Sequence, residues 1–377
     1  MKFKPTEKSH QKGSKKRKKQ IIIILLFLLV IVISVGIYYH FFLTKPDTKI
    51  KKKKSPPKIE EVKKITIVDE DSNARPIAIM IDNNVGNNAH IGLQDSYLNY
   101  EIIVEGGLTR IMAIFKDKNI SVIGPVRSSR HYFLDYALES DCIYTHYGWS
   151  TYAENDIKSL GVNNINGLYD SEPFWRDNTI AAPHNVFTSI ERNYNYAEKK
   201  NYKIETPDWK LLNYKADVIN LNTPVKTETI VNEETGQKEK VPVYQEGLLS
   251  ANKVTLPYSY YQTRSYTYDA ENQVYLRFMN NVAHTDKSTG NQLSYKNLII
   301  MKVANRSLDS YGRQDLDTVG SGSGYYITNG YALPINWTKQ SRSAKTKYTY
   351  NNGKEIEVND GNTFIQVIPT TSNITIE

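Results

Sequence analysis

An unbroken run of 23 uncharged, mostly apolar residues occupies positions 21–43 and divides a polar head from the rest of the chain. At roughly 1.5 Å rise per residue it spans about 34 Å, which crosses a bilayer core of about 30 Å with some tilt. A cleaved signal peptide is the competing reading. Its apolar core would run to about 7–15 residues, and no clear small-x-small cleavage site precedes His40. The run is therefore read as an uncleaved transmembrane helix.

Past it, residues 44–70 have the Lys/Pro-rich composition of a solvated stalk. Short apolar runs separated by Asn/Gly turns then predict strands at 76–81, 101–105, 110–115, 120–124 and 142–146. Helices are predicted at 129–139, with Phe133, Tyr136 and Ala137 on one face, at 152–160 ending at Gly161, and at 186–200. Residues 71–205 thus form a mixed α/β or α+β domain. Residues 206–250 read as a linker with an exposed hairpin, its tip within 233–240. From 251 to 377 the texture is mainly β: 266–268 and 274–279 flank a turn at 269–272, 298–303 is a central strand, and 347–350 turns through Asn351-Asn-Gly353 into 355–358. A small barrel or sandwich is expected there, and the fold class is α+β.

Charge sets the orientation. The head, residues 1–20, and the segment 44–64 each carry nine Lys/Arg, so the positive-inside rule is balanced. Moving a head of net charge about +8 outward costs about 2.3 kcal/mol per charge per 100 mV, which puts the head in the cytoplasm and 44–377 outside. With about +6 more in 44–64, a chain total of +8 leaves the remainder mildly acidic. The basic excess flanks the helix and suits anionic lipid head groups; no nucleic-acid partner is implied. Cys142 stands alone, excluding an internal disulfide, and its apolar neighbours suggest a buried strand. The lack of disulfides and the abundance of Lys, Asn, Ile and Tyr suit the envelope of a Gram-positive bacterium with an AT-rich genome.

The strongest chemical feature is Gly124-Pro-Val-Arg-Ser-Ser-Arg-His131, read as leading from a strand into a helix. With Ser128 or Ser129 as cap, free N–H groups, the helix dipole, Arg127, Arg130 and His131 would converge on an anion, with Arg110 and Arg176 adding bidentate contacts. The competing reading pairs these arginines with Asp135, Glu139 or Asp141. Asp82, Glu105, His146 and His184 are the nearby acids and imidazoles; Asp82, Glu105 and His184 are the candidate catalytic groups. The chain has no His-Glu-x-x-His, paired Cys, Gly-x-Ser-x-Gly or Walker sequence. His284-Thr-Asp286 with Ser288-Thr-Gly290 could bind a cation but is read as a turn stabilised by Asp and Thr, and Gly320-Ser-Gly-Ser-Gly324 as a flexible turn.

Arg75-Pro-Ile-Ala-Ile-Met-Ile-Asp82, Tyr100-Glu-Ile-Ile-Val-Glu-Gly-Gly107, Thr109-Arg-Ile-Met-Ala-Ile-Phe115, Ile123-Gly-Pro-Val-Arg-Ser-Ser-Arg130, Phe174-Trp-Arg-Asp177 and Ala182-Pro-His-Asn185 together resemble the YerB-like envelope proteins, a two-domain family of unassigned activity. The resemblance spans about residues 70–370 and continues through His284-Thr-Asp286, Gly322-Ser-Gly324 and Trp337. It implies a surface-exposed domain pair and supplies no catalytic assignment. Family members are often lipoproteins, whereas this chain carries a helix.

Two function classes follow. One is a non-catalytic envelope protein that binds a wall polymer, its lipid-linked precursor or a wall-synthesis protein, with arginines for anionic groups and surface tyrosines for sugars. It needs no cofactor. The other is a phosphotransferase or hydrolase on lipid-linked phosphate or pyrophosphate, by analogy with the LytR-CpsA-Psr transferases, using the arginines on the phosphoryl group and Asp82 or Glu105 as base or holder of a divalent metal.

Overall fold

The computed structural model describes residues 11–43, 63–84, 86 and 88–377. Residues 1–10 of the basic head and 44–62 of the expected stalk lie outside the described residues. Helix α1 (Gln11–Tyr38) runs into a π-helical turn at Tyr39–Leu43. Its stretch Arg17–Phe42 is long and apolar enough to cross a membrane, and every residue in it is exposed.

Residues 63–377 form a separate compact unit. Strand β1 (Ile77–Asp82) is buried along all six residues, as a strand covered on both faces must be. It lies antiparallel to β3 (Thr109–Phe115) and parallel to β4 (Ile143–His146), which pairs in parallel with β5 (Asn164–Asn166). β2 (Leu98–Ile103) pairs with β3 on one side and with Thr363–Pro369 on the other. The sheet then continues through Asn297–Val303, Gly320–Thr328, Tyr331–Lys339 and Leu249–Ser250. Both halves of the sequence thus share one sheet, and Asn297–Val303 is central in it, as its apolar run suggests.

Lys253–Pro257, Val282–Ala283, Ser294–Tyr295 and Thr375–Ile376 build a second sheet around the hairpin Thr263–Asp269/Val274–Met279. Its Tyr266 ring meets Phe364 edge-on, and Arg277 lies 4.7 Å over the same ring. Two sheets of different size, one of them mixed and extending into the N-terminal half, replace the expected small barrel or sandwich. The hairpin Lys226–Val231/Lys238–Val243 is exposed.

Several local expectations are corrected. Residues 120–124 form no strand, only isolated bridges from Ile123 to Thr188 and from Gly124 to Ile91. The predicted helix 186–200 divides: Val186–Thr188 is a strand, and helix α4 (Ile190–Lys199) starts where the Ser189 hydroxyl accepts the Arg192 N–H. Helix α3 (Thr151–Ser159) is capped the same way by Ser150. Helix α2 is only Phe133–Leu138 and has no side-chain cap, so Ser128 and Ser129 do not open a helix and no helix dipole serves the arginines. Gly320–Thr328 is strand throughout. A Cβ on Gly322 would sit 2.6 Å from the Trp337 indole nitrogen, and one on Gly324 would collide with the Ile300 carbonyl, so glycine here permits close strand packing instead of a turn.

Candidate functional site

The carboxyl ends of β1, β2 and β4 and the start of β3 lie along one edge of the large sheet, the edge where open α/β sheets place ligands. Asp82 ends β1, directly opposite Arg110 in the register. The segment after cis-Pro125 runs along β1, with Asp82 N–H on the Pro125 carbonyl and Arg127 N–H on the Met80 carbonyl, both at 2.8 Å. That brings Arg127 Nε to 3.1 Å from Asp82 Oδ2, while His184 Nδ1 reaches the same oxygen at 2.7 Å. The carboxylate is buried, and both partners keep more than a quarter of their side-chain surface exposed.

Arg130 makes a bidentate pair with Glu105 at 2.6 and 2.8 Å. Burial raises the Glu105 pKa, but Arg130 outweighs it and holds the carboxyl below its ordinary value. Gly106 and Gly107, both at positive φ, turn the chain after Glu105, and Ser259 donates to the Gly107 carbonyl at 2.7 Å. Arg110 donates to the Ser128 carbonyl at 2.7 Å. Among the described residues neither Arg110 nor Arg176 has a carboxylate within 4 Å. Burial, and next the Arg130 charge, brings the Arg110 pKa down to about 10, so it stays cationic at neutral pH. Arg176 instead donates to Asn185 Oδ1 at 2.6 Å and lies over the Tyr147 ring.

The sequence candidates therefore fall into two groups. Asp82, Arg110, Arg127, Ser128 and His184 meet directly; Arg130 with Glu105 and Arg176 with Asn185 adjoin them. Ser129 is fully buried, its hydroxyl accepting from Tyr144, and His131 turns away to Asp315 at 3.0 Å. The acids that competed for the arginines are engaged elsewhere: Asp135 by Arg342, Glu139 by Lys339, Asp141 by Arg75. His146 is buried, hydrogen-bonded to Gly148 and Asn164. Among the described residues no group of three or more His, Cys, Asp or Glu is placed to hold a metal ion.

Aromatic side chains ring this edge. Leu168 stands beside Gly148, which also neighbours Ser128, and Tyr169, 71% exposed, packs on Trp149. Tyr260 and Tyr261 follow Ser259 at the Gly107 turn; Tyr260 is 94% exposed.

Beneath the site lies a network that sequence reasoning missed. Fully buried Glu101 accepts from Arg264 Nε at 2.6 Å and Arg277 Nη2 at 2.7 Å, and also from Asn83 and Thr109, the neighbours of Asp82 and Arg110. Burial raises its pKa, but the two guanidiniums win and hold it down at about 2. His284, read as part of a turn, joins Arg277 to His90; Asp286 does form that turn, capping Ser288 and Thr289. A legible signal existed: in Val274–Met279 the inward positions are Tyr275, Arg277 and Met279, a charge in an apolar alternation.

A family model described as "Protein of unknown function (DUF3048) N-terminal domain" matches residues 65–203, and its C-terminal counterpart matches 254–365. The Bacillus subtilis (strain 168) protein named "Putative lipoprotein YerB" is 29% identical over 297 residues, 78% of this chain and 81% of that one. The crystal structure of the Bacillus subtilis YerB protein is similar with a TM-score of 0.66 and 26% identity, over 81% of this chain and 94% of that one. The apolar N-terminal helix and a relative named as a lipoprotein both fit membrane association.

Proposed function

Because this chain belongs to the YerB-like two-domain family, whose activity is unknown, we propose its function from the site: a single-pass, extracytoplasmic envelope protein that binds the anionic groups of a cell-wall polymer or its lipid-linked precursor. The observation that carries this reading is Arg110. It is a largely desolvated guanidinium beside Arg130 with no carboxylate within 4 Å among the described residues, and burial with the Arg130 charge outweighs the more distant pull of Glu105 and Asp82, an arrangement that costs free energy until an anion arrives. Arg110, Arg127, Arg130 and Arg176 outnumber Asp82 and Glu105 by two charges. The exposed tyrosines and Trp149 supply flat apolar faces for the sugars that would accompany the phosphates.

A second reading is favoured by one contact. Asp82 Oδ2 on His184 Nδ1 orients an imidazole as a carboxylate orients a general base, which would let His184 activate water against a phosphate ester held by the arginines.

The test is co-sedimentation of the full-length protein in detergent with wall sacculi, before and after removal of their phosphate-containing polymers. Binding that is lost with those polymers and in the Arg127→Ala/Arg130→Ala variant supports the proposal. Equal binding in all cases contradicts it and points to a wall-synthesis protein as partner. Release of inorganic phosphate from a lipid-linked pyrophosphate, abolished by His184→Ala, would favour the second reading.

A further inference from the structure

Three residues with no place in the surface site form a continuous hydrogen-bonded chain into it. Arg277 Nε donates to His284 Nδ1 at 2.9 Å, His284 Nε2 lies 2.8 Å from His90 Nδ1, and His90 Nε2 lies 2.6 Å from the main-chain carbonyl of Asp82. All three side chains are fully buried. The ends dictate the polarity, since a guanidinium can only donate and a carbonyl can only accept. Each imidazole must then be neutral and carry its proton on Nε2. A second proton on either ring would put two N–H groups face to face.

The chain starts in the second half of the sequence, where Arg277 is clamped by Glu101 and by the Tyr266 hydroxyl, and it ends on the residue whose carboxylate holds Arg127 and His184. We infer that Arg277, His284 and His90 are positioning residues, which fix the Asp82 main chain so that the Asp82 carboxylate presents Arg127 and His184 to an anion. This rests on the proposed anion site. It adds that the site in residues 65–203 depends on the segment 254–365 for its geometry.

Two measurements on the full-length protein in detergent micelles test the inference. With nitrogen-15-labelled histidine, long-range proton–nitrogen correlation at pH 7 should show His90 and His284 as neutral Nε2–H tautomers. A charged ring or an Nδ1–H tautomer at either position overturns the chain, and this needs no variant. Second, His284→Phe should weaken inorganic pyrophosphate binding by about tenfold, with partial rescue in His284→Gln. Unchanged affinity in a folded His284→Phe protein overturns the positioning role. If wild type binds no pyrophosphate, the anion reading fails separately. The positioning role is then judged by the His184 ring nitrogen chemical shifts, which should move in His284→Phe as its Asp82 contact shifts; unmoved resonances overturn it.

Discussion

Arg277 and Glu101, 176 positions apart in sequence, meet with no solvent exposure on either side chain, Nη2 to Oε2 at 2.7 Å. Arg264 holds the other carboxylate oxygen, so one buried anion satisfies two buried cations. Such a triad is sensitive to loss of its centre. Glu101→Gln should destabilise the folded unit by about 3–5 kcal/mol, because both guanidiniums would lose their compensating charge in a dry environment. Urea denaturation followed by tryptophan fluorescence measures this; a cost below about 1 kcal/mol would mean the triad is wetter than the structure has it.

Acid should unfold the protein through its buried imidazoles. Burial pushes both His90 and His146 down to about 4. An unfolded chain takes up these protons near pH 6.5, whereas the folded one resists until about pH 4. The stability they contribute is thus complete above about pH 6.5 and is lost as pH falls toward 4, by about 3 kcal/mol for each. Melting temperature against pH should slope upward through this window, and less steeply in His146→Gln.

Cys142 is 4% exposed, and burial pushes its thiol well above the usual cysteine range. Native protein should react with a thiol-specific reagent only as fast as it unfolds, while denatured protein should react at once. Rapid native labelling would place Cys142 nearer the surface than it is here.

Gly324→Ala should abolish folding or cost several kcal/mol, since its Cβ would collide with the Ile300 carbonyl of the neighbouring strand. Gly312→Ala has open space around it and serves as the mild comparison, carrying only the cost of its positive φ. Circular dichroism and thermal melting distinguish the two.

Local signals in the sequence were reliable where the chain decides locally. β1, the hairpin Thr263–Asp269/Val274–Met279 and α3 follow from an apolar run, an Asp-Ala-Glu-Asn turn and a helical pattern closed by Gly161. Residues 186–200 failed because antiparallel pairing with Phe174–Arg176 draws the first three residues into a strand, and tertiary pairing outweighs helical pattern there. The Gly320–Gly324 strand failed because its glycines answer to Trp337 and Ile300, which local composition does not reveal. For the candidate site, residue types selected Asp82, Arg110, Arg127 and His184, yet the helix invoked to gather them does not exist; strand ends do that work. Glu101, Arg264 and His90 were invisible because their partners lie 163 to 194 positions away.

Arg110 provides the most direct test of the anion site. Calorimetric titration of inorganic pyrophosphate into the full-length protein should show saturable binding that weakens as salt rises. Arg110→Met should abolish that binding, with a melting temperature equal to or above wild type, because a largely desolvated cation with no carboxylate within 4 Å among the described residues is removed. Wild-type binding that survives in Arg110→Met, or a large loss of stability in that variant, would contradict the claim that this edge of the sheet is built to receive an anion.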